Sequence, residues 1–161
     1  MLDRSSIIYY ILSINTLPIQ TKSQIIALLV EGNSLRATTR ITGISRTTIL
    51  KLLVEVGQVC QEFHNNTVKS IKAERVQCDE IWSFVGCKEK AKINGASGDG
   101  DVWTWVALDA DSKLVVSWLV GDRDADAACS FMYDVKDRLV NRVQLTTDGH
   151  KAYLVAVEKA F

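Results

Sequence analysis

The stretch RVQCDEIWSFVG, residues 75–86, alternates side chains in the manner of a β-strand. Four apolar side chains and Glu80 fall on one face of this predicted strand, whereas Asp79 falls on the other face. Acids inside such an apolar run are costly unless something pairs with them. Asp79 is therefore either a solvent-facing residue of a half-buried strand or part of a functional site.

A second aspartate, Asp148, ends another strand pattern within VQLTTDGHKAY, residues 143–153. Between the two aspartates, residues 102–120 predict a β-hairpin that turns at 109–112. A helix capped by Asp122 or Asp124 follows, and YLVAVEKAF begins a further helix after Asp148. We predict a mixed α/β fold in residues 75–161, with three antiparallel strands, a crossover helix, a strand and a helix.

The two aspartates suggest a metal site, because a crossover tends to place the connected strands side by side. Two facing carboxylates repel each other unless a divalent cation lies between them. Mg²⁺ prefers such oxygen ligands, and a pair of ions about 3.5–4 Å apart suits phosphodiester cleavage. Two other interpretations stay open: Asp148 caps the next helix, or the pair serves a glycosidase.

Upstream, residues 22–60 predict three short helices arranged as a helix-turn-helix. Thr21 or Ser23 is the expected cap of the first helix and Ser34 of the second, which Gly43 ends. The early residues of the third helix would face the DNA major groove, and basic residues of the second helix would contact the backbone. The candidate DNA-binding residues are Arg36, Arg40, Arg46, Thr47, Thr48 and Lys51. The alternative is a helical bundle used for packing or dimerisation.

Charge and composition are consistent with two modules. Residues 22–75 hold eight Lys or Arg and four Glu, whereas residues 76–161 hold ten Lys or Arg and fourteen Asp or Glu. A basic front module fits phosphate backbones. The four cysteines lack zinc-ligand spacing and are expected to be reduced thiols. Residues 1–21 predict an extension, disordered or a short helix, rather than a secretion signal, and residues 61–74 predict a connector broken at Asn65–Asn66.

Several stretches, in order LLVEGNSLRAT, QCDEIWSF, GDVWTW, LVGDRDADAA and NRVQLTTDGHKAY, resemble the transposases of the insertion-sequence-one family. The resemblance runs from Lys22 to Phe161. It implies a ribonuclease H-like core of the DDE type, with Asp79 and Asp148 as catalytic and metal-binding acids and Mg²⁺ or Mn²⁺, two ions in the complete site, as cofactor. The implied partners are double-stranded DNA of element ends and targets and further copies of the chain, in a prokaryotic cytoplasm near the nucleoid, with no membrane. His150 and Lys151 are possible auxiliary contacts to DNA phosphate.

The family's third acid is a glutamate on a helix beyond a further strand. Glu158 lies on the first predicted helix after Asp148, leading away from the site, and Glu80 is expected on the face opposite Asp79. We therefore expect a C-terminally truncated transposase that binds DNA without competent strand transfer. The alternatives are a repressor that occupies the element ends and an inactive remnant.

Overall fold

The regular elements in the described part of the N-terminal unit, which ends at His64, are helices. The computed structural model describes residues 17–91 and 99–161, and the chain divides between His64 and Asn65 into two compact units. In the N-terminal unit, α1 spans Ile19–Val30 and α2 spans Leu35–Thr42. The third helix, α3, spans Arg46–Thr67 and crosses the unit boundary.

The predicted turn chemistry between α2 and the helices on either side of it is confirmed. The Ser34 hydroxyl accepts a hydrogen bond from the Ala37 backbone N–H, and Gly43 ends α2 in the left-handed conformation at φ 72°. Ile25 of α1 packs with Ile49 and Leu52 of α3 in a small apolar core. The start of α3 closely follows the glycine turn that ends α2, as in a helix-turn-helix.

Two predicted boundaries of the helices are wrong. The first helix begins at Ile19 behind Pro18 with no side-chain cap, two residues before the earlier of the two expected caps. Pro18 occupies the N-cap position, and its ring fixes φ where the chain enters the helix. The break expected at Asn65–Asn66 does not occur, because α3 continues to Thr67. The low helix propensity of asparagine is a weak preference that the context of a long helix overrides.

A four-stranded mixed sheet forms the C-terminal unit, in the order β3-β2-β1-β4. The strands are β1 Arg75–Val85, β2 Gly100–Asp109, β3 Val115–Gly121 and β4 Gln144–Thr147. The first three pair as the predicted antiparallel meander, whereas β4 pairs parallel to β1 with Cys78 opposite Thr147. Between β1 and β2, a 3-10 helix spans Glu89–Ala91, and residues 92–98 of the predicted loop lie outside the described residues.

Two helices cover one face of this sheet, α4 at Ala125–Arg138 and α5 at Lys151–Ala160. The core between them and the sheet includes Trp105, Phe131 and Tyr153. Asp124 caps α4 by accepting a hydrogen bond from the Ala127 N–H at 2.8 Å, as the sequence predicts for one of two acids. The chain is therefore an α/β protein with N-terminal helices followed by a mixed sheet and its helices.

The opposite face of the sheet carries apolar side chains that the described residues leave exposed. Ile81 is 61% exposed and Trp118 is 39% exposed, although both lie on paired strands. Exposed apolar area of this kind often marks an interaction surface. Asp79 lies on this open face, because it pairs with Val106, whereas its neighbour Glu80 pairs with the buried Trp105.

The β2–β3 turn depends on the Asp109 carboxylate. The carboxylate accepts hydrogen bonds from the Ser112 hydroxyl and from the backbone N–H groups of Asp111 and Ser112. The Ser112 hydroxyl contributes most to holding the pKa of Asp109 below its ordinary value, and the backbone donors lower the pKa further.

Replacing Asp109 with asparagine is expected to lower the melting temperature near neutral pH. Because the folded-state pKa of Asp109 is lowered, its stabilisation is present above the unfolded pKa, about 3.9, and is lost as pH falls through the folded pKa. Thermal unfolding from pH 7 down to pH 2 should therefore show the wild-type advantage shrinking in acid. A gap between wild type and Asp109→Asn that stays constant with pH would contradict this account. Asp137→Asn, at an exposed site of α4, is the control.

Candidate metal centre

Parallel pairing brings the two predicted catalytic aspartates together. Cys78 and Thr147 are the last residues paired between β1 and β4; Asp79 follows within β1, and Asp148 directly follows the end of β4. Carboxylate oxygens of Asp79, Glu80 and Asp148 all lie within 4.8 Å of one another. The sequence predicted that the strands carrying the two aspartates would be neighbours, and the structure places Asp79, in the middle of β1, beside Asp148, which directly follows β4.

Glu80 belongs to this cluster, so its expected exclusion from the site is wrong. The period of two does send its side chain to the helix-covered face, away from Asp79. However, β4 ends at Thr147, and no residue of β4 separates the two faces of the sheet beyond that point. Carboxylates from both faces can therefore approach Asp148 around the end of the strand.

The Glu80 carboxylate is buried, with 1% of its side chain exposed. Its Oε2 accepts hydrogen bonds from Nε and Nη2 of Arg123 at 3.1 and 3.0 Å. Its Oε1 has no hydrogen-bond partner, and neither does the buried hydroxyl of Tyr153. Burial raises the pKa of the Tyr153 phenol, and the nearby Glu80 carboxylate raises it further, although the two groups do not reach hydrogen-bond geometry.

Arg123 connects the two sides of the cluster. Its Nη2 lies 3.4 Å from Asp148 Oδ2, and its guanidinium lies over the Trp103 ring, 4.7 Å from the centroid. Sequence reasoning did not single out Arg123. The available signal was Glu80 itself, because an acid on the core face of an apolar strand requires a cation from a neighbouring element.

The local backbone orients both aspartates. Asp79 Oδ1 accepts a hydrogen bond from the Glu80 N–H at 2.8 Å, and Asp148 Oδ1 accepts one from the His150 N–H at 2.9 Å. Each aspartate therefore keeps its second oxygen, Oδ2, outside these backbone hydrogen bonds. Carboxylates restrained in this way lose less side-chain entropy when they bind a ligand.

The two predicted auxiliary residues occupy different environments. His150 is the N-cap of α5, where its Nδ1 accepts a hydrogen bond from the Ala152 N–H at 3.1 Å. Its ring packs edge-on against Trp105 and Tyr153. Asp148 is therefore not the side-chain cap of this helix, which answers the first alternative raised by the sequence. Lys151 is exposed at the first position of α5.

The donor set fits a small, hard divalent cation. The set consists of three carboxylates, and the one guanidinium beside them, that of Arg123, offsets only part of their negative charge. Carboxylate oxygens are ligands that Mg²⁺ and Mn²⁺ take in proteins. A cavity of about 470 Å³ on the open face of the sheet is lined by Asp79, Asp148 and Thr146 among others. The open-face carboxylates are thus accessible from solvent.

No cysteine belongs to the cluster, and all four are free thiols. Cys78 is the nearest in sequence, but it lies in the core of the sheet. Burial, with a smaller contribution from Glu80, raises the pKa of Cys78 to about 12. Cys78 therefore stays protonated at neutral pH and is a packing residue.

The candidate DNA-binding residues of the N-terminal unit are all exposed; they are Arg36, Arg40, Arg46, Thr47, Thr48 and Lys51. Arg46 and Thr47 begin α3 directly after the glycine turn, and Lys51 lies on the following turn of the helix. The Thr48 hydroxyl is hydrogen-bonded to the Ser45 hydroxyl at 2.9 Å. Because Ser45 also accepts from the Thr48 N–H, this pair caps the start of α3.

Comparisons with known proteins add no family. Neither the models of known protein families nor the curated proteins give a match to this chain. Among the described residues, none of the helices is long and apolar enough to cross a membrane.

Proposed function

We propose that the chain is a metal-dependent enzyme of the polynucleotidyl transferase class, acting on double-stranded DNA. Within that class, we propose a DDE transposase of the insertion-sequence-one type, on the motifs that resemble that family. The observation that carries the proposal is the convergence of oxygens of the Asp79 and Asp148 carboxylates within 4.8 Å, just beyond the last pair of residues joining the parallel strands β1 and β4.

Asp79 and Asp148 would hold the metal, Mg²⁺ or Mn²⁺. A divalent cation there would activate water or a 3′-hydroxyl for attack on a phosphodiester and stabilise the leaving oxygen. The protein's own contribution is to restrain the two aspartates through the N–H groups of Glu80 and His150. The open face beside Asp79 leaves room for a DNA strand to approach.

DNA recognition is assigned to the N-terminal unit. Arg46, Thr47 and Lys51 at the start of α3 would face bases in the major groove, while Arg36 and Arg40 of α2 would contact phosphates. The substrates proposed are the ends of a mobile element and its target DNA. Assembly of several copies on DNA, near the nucleoid, stays a prediction.

Titration of the purified chain with Mn²⁺, with binding measured by isothermal calorimetry, tests the metal site. Wild type is expected to bind Mn²⁺, and Asp148→Asn should weaken binding by at least about tenfold to a hundredfold, the loss already caused by removing a residue that only supports a metal ligand. Asp137→Asn, which removes an exposed carboxylate of α4 outside the cluster, should leave the affinity unchanged. Equal binding by all three proteins would show that the cluster is not the metal site.

A second candidate function is repression of transposition by occupation of the element ends. Among the described residues, the third acid of the cluster is Glu80, and one of its oxygens is already bound to Arg123. A third acid that is occupied in this way favours DNA binding without catalysis. A strand-transfer assay with Mg²⁺ and duplex DNA separates the two functions. DNA binding without joining supports the repressor, and joining that Asp148→Ala abolishes supports the transposase.

A further inference from the structure

Arg123 occupies a position that a bound cation would also favour. Its guanidinium lies 3.0 Å from Glu80 Oε2 and 3.4 Å from Asp148 Oδ2. It thus bridges a carboxylate of the helix-covered face and one of the two aspartates proposed to bind metal. The third contact, with the face of the Trp103 ring, restricts the guanidinium to this place.

The buried Glu80 carboxylate explains why the Arg123 guanidinium lies beside it. A carboxylate that is 99% buried, which follows from its 1% exposure, would be destabilising without a positive partner. Arg123 supplies that partner through two hydrogen bonds to Oε2. Arg123 is itself only about one-third exposed, with 35% of its side chain accessible, so water screens the contact incompletely.

Asp148 is where the arginine and a metal ion would meet. The His150 N–H already occupies its Oδ1, and Arg123 faces its Oδ2. A divalent cation bound to Oδ2 would lie beside a guanidinium of the same sign of charge. Like charges at this separation repel strongly in a partly desolvated site, so both cannot use Asp148 without a cost.

We propose that Arg123 is a resident counter-ion that competes with the divalent cation for Asp148 and thereby sets how tightly this site binds metal. The inference rests on the proposed metal site at Asp79 and Asp148. Arg123 is a positioning residue in this scheme: it holds Glu80 permanently and yields Oδ2 of Asp148 when the metal binds. Removing Arg123 should therefore strengthen metal binding, whereas removing a metal ligand should weaken it.

Mn²⁺ affinity of Arg123→Gln tests the proposal, with binding measured by calorimetry and free Mn²⁺ by electron paramagnetic resonance. Loss of the competing charge is expected to tighten Mn²⁺ binding by roughly tenfold. Arg123→Lys keeps the charge but loses the paired hydrogen bonds to Glu80 and the stacking on Trp103, so its Mn²⁺ affinity should lie between those of wild type and Arg123→Gln. Arg75→Gln removes an exposed arginine paired with Asp111, outside the cluster, and should change nothing.

A second comparison, made in the Glu80→Gln variant, controls for misfolding of Arg123→Gln. Arg123→Gln leaves the buried Glu80 charge unpaired, whereas Glu80→Gln together with Arg123→Gln leaves no unpaired charge. The double variant is expected to bind Mn²⁺ more tightly than Glu80→Gln alone, with cooperative thermal unfolding as the check on its fold. Unchanged or weaker binding on loss of Arg123, in both backgrounds, would overturn the inference.

Failure of the inference and failure of the proposed metal site give different results. If wild type binds Mn²⁺ through Asp148 and the Arg123 variants match it, the metal site stands and the competition is wrong. If wild type fails to bind Mn²⁺ but Arg123→Gln binds it, competition is supported in its strongest form. If no folded variant binds Mn²⁺, both the metal site and the competition are wrong.

Discussion

Replacing Trp105 with alanine is expected to destabilise the C-terminal unit by about 3–5 kcal/mol, the usual cost of removing a large aromatic side chain from a core. Trp105 is fully buried, and its ring packs against Phe131, Tyr153 and His150. Its Nε1–H also donates to the Asp122 carbonyl at 3.1 Å, so the substitution leaves that carbonyl without this partner. Because folded domains are stable by only about 5–15 kcal/mol, this loss removes a large fraction of the total.

The effect should reach the acidic cluster of Asp79, Glu80 and Asp148. Trp105 lies opposite Glu80 in the β1–β2 register and contacts the His150 ring that follows Asp148. Urea unfolding followed by circular dichroism measures the change in free energy. Trp118→Ala is the matched control, since this tryptophan lies on the open face and is 39% exposed, and it should cost under about 1 kcal/mol. Similar losses from both substitutions would show that the helix-covered face is not the main core.

Replacing Arg46 and Lys51 together with alanine is expected to weaken binding to specific duplex DNA by at least about thirtyfold. The estimate takes roughly 1–3 kcal/mol for each base contact, with tenfold in affinity for every 1.4 kcal/mol. Both residues are exposed on the first turns of α3, so the substitution removes charge without removing core contacts. The number of phosphate charges neutralised should also fall, which would make binding less sensitive to salt.

Fluorescence anisotropy with a labelled duplex, repeated at several salt concentrations, measures both effects. The control removes two exposed basic residues from the C-terminal unit, Arg75 and Lys159, and preserves the total charge change. Equal weakening by the two double variants would indicate non-specific attraction by net charge. Unchanged binding by Arg46→Ala with Lys51→Ala would show that the helix-turn-helix assignment is wrong.

Local patterns were sufficient for most of the secondary structure. Alternation in residues 75–85 and the turn at Asp109 predicted the meander, and the caps at Ser34 and Asp124 are confirmed. These features depend on neighbours within a few residues, and sequence periodicity reports on such contacts directly. The end of α3 was missed, because the continuation of a long helix through Asn65 and Asn66 depends on more than local propensity.

The sequence by itself determined that Asp79 lies within one strand and Asp148 at the end of a later strand reached by a crossover, and that the front of the chain is helical and basic. Tertiary structure alone decided that Glu80 joins the two aspartates and that Arg123 lies between them. Strand period describes the face from which a side chain leaves the backbone. It does not describe where the neighbouring strand stops, and the end of β4 at Thr147 is what allows carboxylates from both faces to meet.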